Sequence, residues 1–231
     1  MKDEPAGHDG HAHHDHGHHG HANDQGIKGA LRYLRWLPQM WSSAINDEVV
    51  DLIDPEPGER LVDVGAGLGA GAVRAAAAGA RVIAVEPTPF MRRVLVLRRA
   101  FSRHRSELEV VDGAAEAIPA ADGSVDAIVA VNTMHHWLDV ERGVAEIARA
   151  LRPGGRILLV DEDFDNPSHP EHERFGSDHD HEHHGFTAVD AQQIADLLRA
   201  AGLTGVETLD RTIDGRPVIG VAVNLSTPTG G

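Results

Sequence analysis

The residues best placed to do chemistry in this 231-residue chain lie between Asp63 and Glu86. Asp63 sits inside an apolar run of Leu61, Val62 and Val64, and Gly65-Ala66-Gly67-Leu68-Gly69 follows. A second apolar run, Val82 to Val85, ends on Glu86 and Pro87. Glycines adopt positive φ and let backbone approach a ligand closely. A carboxylate about 20 residues further on can accept hydrogen bonds from both hydroxyls of a ribose. The pattern predicts a nucleoside-bearing cofactor. With Ala70 in the third place it also fits the dinucleotide fingerprint, so spacing alone leaves NAD open.

Two other groups of residues carry chemical potential. Asn132-Thr133-Met134-His135-His136-Trp137 places two imidazoles side by side, either of which could deprotonate or orient a nucleophile near neutral pH. The plainer reading, one packed histidine and one exposed, is favoured over a base. The remaining histidines cluster. Eight lie between His8 and His21, and six (His169, His172, His179, His181, His183 and His184) lie in a second acidic segment, out of 17 in the chain. Mixed imidazole and carboxylate suit Zn²⁺, Ni²⁺, Cu²⁺ or Co²⁺, and the chain has no cysteine to supply thiolate. The six later histidines are the candidate metal ligands, with Zn or Ni favoured, and the tail would raise the local ion concentration.

These residues need a scaffold, and the chain past residue 60 supplies a regular one. Apolar strand candidates at 60–64, 81–86, 108–112, 125–131, 156–161, 205–209 and 217–223 alternate with helical segments, which predicts a parallel sheet ending in an antiparallel pair. Thr88 and Pro89 open a helix whose spacing puts Phe90, Val94, Leu97 and Phe101 on the buried face. Its arginines (92, 93, 98, 99, 103 and 105) read as a solvated face. Thr187 with Asp190 reads as a capping box for a later helix closed by Gly202. Before the sheet, residues 28–54 read as two short helices interrupted near Pro38.

Charge sharpens the division. Of the net −15, the segment 1–24 carries −4 and the segment 161–184 carries −8, so the acidity belongs to the two histidine-rich stretches. Broad phosphate-backbone binding is disfavoured, and no nucleic-acid partner is expected. No apolar run approaches the roughly 18 residues needed to span a bilayer, and no apolar leader follows Met1, so no membrane partner and a cytoplasmic location are expected. The expected organisation is a disordered His-rich tail (1–26), a helical cover (27–54), the main domain (55–223, with a His/acid-rich loop insertion at 163–186) and a flexible end (224–231). The insertion leaves the sheet at its carboxyl edge, where it would cap a substrate pocket, hold metal or hang in solvent.

Further motifs follow in order: Gly113-Ala114-Ala115-Glu116-Ala117-Ile118-Pro119, Asp122-Gly123-Ser124-Val125-Asp126, the Asn132–Trp137 turn, and Leu151-Arg152-Pro153-Gly154-Gly155-Arg156. The run resembles class I S-adenosylmethionine-dependent methyltransferases, above all the small-molecule branch related to ubiquinone and menaquinone biosynthesis methylases. The resemblance spans roughly residues 55 to 223. It implies an α/β, Rossmann-like, seven-stranded, mostly parallel sheet with the last strand antiparallel and helices on both faces. It also implies S-adenosyl-L-methionine held by Asp63, Gly65, Ala66, Gly67, Gly69, Glu86, Pro87, Ala114, Ala115 and Asn132. In that reading the turn amides and close backbone hold the methionine end, and Asp63 orients the loop or the cofactor ammonium. Ala114 departs from the small polar residue common in relatives, which shifts any adenine amine contact to backbone, Asp112 or Glu116. His135, His136 and Asn132 would face the reacting methyl and a small-molecule acceptor. A metal-binding or metal-responsive protein that keeps the fold, and an NAD-dependent oxidoreductase, are the competing readings. Oligomeric state is open.

Overall fold

The computed structural model describes residues 41–176 and 189–225. Along the chain these form α1 (Ala44–Ile53), β1 (Arg60–Val64), α2 (Ala70–Ala77), β2 (Arg81–Val85), α3 (Pro89–Phe101), β3 (Leu108–Val111), β4 (Val125–Val131), α4 (Val140–Ala150), β5 (Leu151–Glu162), a single turn α5 (His172–Phe175), α6 (Ala191–Ala200), β6 (Val206–Ile213) and β7 (Arg216–Val223). Short 3₁₀ turns at Ala115–Ala117 and Met134–His136 complete the set.

The strands make one sheet in the order β3-β2-β1-β4-β5-β7-β6. Strands β1 to β5 pair in parallel, while β7 runs antiparallel to both β5 and β6. The expected seven-stranded sheet with its last strand reversed is therefore present. Its central strands are near-continuous runs of Val, Ile, Leu and Ala because helices cover both faces. One face packs Val62, Ile128, Ile157 and Leu159 against Ile147 of α4 and Leu198 of α6. The other packs Leu61, Val129 and Leu158 against Val49 and Ile53 of α1 and Ala72 and Ala75 of α2. Arg156 ties α1 down by donating to the Ile53 carbonyl at 3.0 Å and pairing with Glu59 at 2.5 Å.

Local structure departs from expectation at three places, and each has a physical cause. In α3 the buried residue is Leu95, whereas Leu97 and Phe101 are 59% and 84% exposed and Phe90 and Val94 only half-buried. The helix is rolled so that its arginines reach backbone carbonyls: Arg98 bonds Leu68, Arg92 bonds Glu86 and Pro87, and Arg99 bonds Leu108. Three of the arginines read as a solvated face are thus clamps. Strand β5 begins at Leu151 rather than 156, carried through Pro153-Gly154-Gly155 by a register shift opposite Val125–Ala127. The cap of α6 is Asp190, whose side chain accepts from the Gln193 amide, and Thr187 lies outside the described residues. Among the described residues no helix is long and apolar enough to cross a membrane.

Candidate functional site

Strand order reverses between β1 and β4, and in open α/β sheets this switch point forms a ligand crevice at the carboxyl ends. The turn after β1 lies directly against the turn after β4: a Cβ added at Gly65 would collide with the Thr133 side chain, and φ there is +70°. Only glycine allows that approach. Gly67, at φ +55°, presents the opposite situation, because a Cβ there meets nothing within 4 Å. Its backbone lies bare toward open space, as close approach by a ligand requires. Gly69 (φ +80°) opens α2 and leaves no room for a Cβ beside Leu95.

The glycine turn is fastened to β2. The Gly65 and Ala66 amides both donate to the Val85 carbonyl, at 2.8 and 3.0 Å, and the Gly67 amide donates to Glu86 Oε2 at 2.8 Å. The amides expected to hold a cofactor are therefore engaged within the protein, so the turn offers shape and close backbone. Glu86 Oε1 accepts from the Thr88 amide at 2.7 Å, and the side chain is buried. Burial raises the Glu86 carboxyl above the usual range, opposed by the Thr88 and Gly67 amides and the Arg92 charge. Each carboxylate oxygen has two acceptor directions, so capacity for hydroxyl donors remains. Pro87 is exposed, and its carbonyl is held by Arg92.

Asp63 is short of a partner. It is 3% exposed, and among the described residues its Oδ2 has no hydrogen-bond partner. Burial and the nearby Glu86 charge push its carboxyl up to about 7, against the pull of the Ala72 amide.

On the adenine side implied by the sequence, Ala115 is buried and Ala114 half-buried. Trp137 packs here, since a Cβ on Gly143 would come within 3.0 Å of Trp137 and 3.3 Å of the Ala115 methyl. Glu116 accepts from the Leu138 and Asp139 amides and so caps the chain entering α4. Asp112 pairs with Arg92 at 3.0 Å and projects into solvent. An open groove of about 370 Å³ between α3 and β3, lined by Pro89, Arg92, Arg93, Val96, Val110 and Asp112, involves none of the glycine-turn or Asn132–Trp137 residues.

The Asn132–Trp137 turn is organised by two carboxylates at the end of β5. Asp161, 1% exposed, accepts from the Thr133 and Met134 amides through Oδ1 and from the His135 amide and ring through Oδ2. The His135 Nδ1 to Asp161 distance is 2.6 Å. The hydrogen-bond pattern assigns the proton to Nδ1, because the carboxylate accepts every other bond it makes. His135 is half-buried and His136 exposed, their rings 4.0 Å apart. Asn132 stands at φ +52° and is held by Glu162.

The metal candidates separate. His169 is buried with both ring nitrogens bonded, Nε2 to Glu162 at 2.9 Å and Nδ1 to the Glu171 amide at 3.0 Å. His172 bonds the Phe164 carbonyl through Nδ1 at 2.8 Å. His179, His181, His183 and His184 lie outside the described residues. Among the described residues no three His, Asp or Glu side chains come together as a metal site. Sequence reasoning grouped Asp161 and Glu162 with this cluster, whereas the structure gives both to the turn. The available signal was their place at the end of the apolar strand beside the one that feeds the turn.

Comparison with known proteins agrees with this architecture. Residues 62–159 match the family described as "Methyltransferase domain". An uncharacterized methyltransferase of Mycobacterium bovis is 42% identical over 113 residues, covering 49% of this chain and 44% of that protein. A demethylmenaquinone methyltransferase of Renibacterium salmoninarum is 31% identical over 120 residues, covering 52% and 47%. The chain thus spans less than half the length of these curated relatives. Among solved structures, geranyl diphosphate C-methyltransferase from Streptomyces coelicolor, bound to Mg²⁺, geranyl diphosphate and S-adenosyl-L-homocysteine, superposes with a TM-score of 0.64 at 16% identity, over 79% of this chain and 77% of that one.

The residues present fit a cofactor carrying a nucleoside and positive charge: Glu86 for hydroxyls, bare backbone at Gly67, and an orphaned buried oxygen on Asp63 nearby. Asp63 also makes a prediction about stability. An unfolded Asp titrates near 4, so the folded state holds a proton there up to about pH 7. The stability that this uptake provides is full below about pH 4 and is lost as pH rises through about 7. Relative to Asp63→Asn, wild type should lose about 2–4 kcal/mol of stability between pH 4 and 8. Paired urea melts at several pH values measure this, and a constant difference between the two proteins would contradict it.

Proposed function

We propose that this chain, which carries a class I methyltransferase domain, moves the methyl group of S-adenosylmethionine onto a small-molecule acceptor. The observation that carries the reading is the meeting of the Gly65 and Thr133 turns at the switch point, with Glu86 and Asp63 behind one and the His135–Asp161 pair behind the other. Bound S-adenosylmethionine would supply an electrophilic methyl on a sulfonium sulfur. Glu86 would accept the ribose hydroxyls; Gly65, Ala66, Gly67 and Gly69 would shape the passage for the methionine end. Asp63 would offset its positive charge, and Ala114 and Ala115 would flank the adenine. Asn132 would border the reacting centre.

His135 is the better base of the two histidines. Its Nδ1–H on Asp161 leaves the lone pair at Nε2, which is the tautomer a proton acceptor needs. With that methyl supplied in line, His135 Nε2 would take the proton that the acceptor gives up. Positioning supplies most of the remaining rate. A small molecule with a weakly acidic hydroxyl or an enolisable carbon suits this arrangement. The relative named for demethylmenaquinone supports that class.

Two measurements test the reading. Calorimetric titration with S-adenosylhomocysteine and NADH side by side should show binding of the first alone, and Glu86→Ala should weaken it by about 1.5–3 kcal/mol. Binding of NADH without S-adenosylhomocysteine would overturn the assignment. With a quinol or phenol acceptor, His135→Gln should cut turnover roughly 10²-fold while His136→Gln changes it little and cofactor affinity holds in both. Equal rates in both variants would leave positioning as the whole mechanism.

A second reading concerns metal, and it rests on the two clusters that hold 14 of the 17 histidines, 13 once His169, bonded at both ring nitrogens, is set aside. They would gather Zn²⁺ or Ni²⁺ as neutral imidazole, so uptake should rise as pH passes about 6.5. Removing residues 1–24 should lower Ni²⁺ stoichiometry in calorimetry and leave S-adenosylhomocysteine affinity unchanged. Unchanged Ni²⁺ uptake would remove the tail from this role.

A further inference from the structure

The segment after β5 holds a buried histidine that the proposed chemistry does not use. His169 is 3% exposed in a connection between a strand and a helix, with its ring edge against Phe164 at 4.6 Å between centroids. Its Nδ1 accepts the Glu171 amide, so Nε2 carries the proton and donates to Glu162 Oε2 at 2.9 Å. Arg216 donates to the same oxygen at 2.6 Å. It stands two residues from Val218, the register partner of Glu162, and so shares its sheet face. The other oxygen, Oε1, accepts from Asn132 Nδ2 at 2.8 Å, and the Glu162 amide donates back to Asn132 Oδ1 at 2.8 Å.

Glu162 is therefore a hub. Successive strand residues point to opposite faces, so Asp161 and Glu162 grip the Asn132–Trp137 turn from two sides. Asp161 holds the amides of residues 133–135, and Glu162 holds Asn132, whose left-handed backbone turns the chain at the end of β4. A left-handed asparagine costs backbone strain that its surroundings must offset. Of the two bonds that hold it, one comes from the Glu162 backbone amide and the other depends on the Glu162 carboxylate, which His169 and Arg216 fix in place.

We infer that His169 is a positioning residue for the reaction, acting through Glu162 and Asn132 to set the turn that carries His135. The inference rests on the methyl-transfer reading above only in the meaning given to that turn; the mechanical link stands on the hydrogen bonds alone. Through it, His169 in the histidine-rich segment is coupled to the proposed active-site edge.

Amide hydrogen exchange measured by mass spectrometry tests the link without any methyl acceptor. His169→Leu should speed exchange in residues 132–137 about tenfold, as loss of one bond to a charged group implies, while the β1 and β2 peptides stay within about twofold. His169→Gln, which keeps a donor and an acceptor at similar reach, should restore protection. S-adenosylhomocysteine affinity should stay within about twofold in both, and kcat with a quinol acceptor should fall for Leu more than for Gln without a matching change in cofactor KM. Unchanged exchange in 132–137, or an equal rise across the whole sheet, would overturn the inference. Should His169→Leu fail to fold, Arg216→Met removes the other donor from the same oxygen and carries the same expectation. Failure of wild type to bind S-adenosylhomocysteine would sink the functional reading but not the link, because exchange in the ligand-free protein still reports it.

Discussion

Buried carboxylates at one end of the sheet set the terms for the rest of the structure. Asp63, Glu86 and Asp161, with the half-buried Glu162, all lie near the carboxyl ends of parallel strands, where burial penalises charge unless donors converge on it. Asp161 meets this demand with three backbone amides and one imidazole, and Glu162 with an arginine, a histidine and an asparagine. Those bonds cannot form unless the Asn132–Trp137 turn has its observed shape. Asp63 is left short of a partner, because among the described residues no donor reaches its Oδ2.

Helix α3 serves the same edge in a different way. Its arginines bond the carbonyls of Leu68, Glu86 and Pro87, which lie in the turns that follow β1 and β2. Each such bond satisfies a carbonyl that irregular backbone leaves over. The cost is apolar exposure, since the roll that aims the arginines inward turns Leu97 and Phe101 outward. The same roll seats Arg98 over the Trp41 ring at 4.4 Å, joining α3 to the start of the described chain.

The histidines divide by neighbourhood rather than by residue type. His135 answers to a buried carboxylate and His169 to a strand-end glutamate and a backbone amide, so each has a tautomer assigned by its partners. Composition groups His169 with the acid-rich cluster, yet both of its nitrogens are consumed by the fold. A histidine count therefore overstates the ligands open to metal.

The alternation of strands and helices, the glycine turn, the Glu86 strand end and the order of motifs were all legible along the chain, because they depend on periodicity and on near neighbours. The antiparallel final pair followed from the short gap between the last two apolar runs, which the structure turns at Asp214 and Gly215, both at positive φ. The facing of α3 was not legible, since a helical stripe records which residues are apolar and not which way long-range carbonyls pull the helix. Nor were the partners of His135 and Asn132, which stand 26 and 30 residues away on a neighbouring strand. Sequence determined which groups exist and on which elements they ride. Only the packing of β5 beside β4 decided that Asp161 and Glu162 would close on one turn, because hydrogen bonds between residues distant in the chain are specified by strand register and by the burial that makes leaving them unpaired too costly.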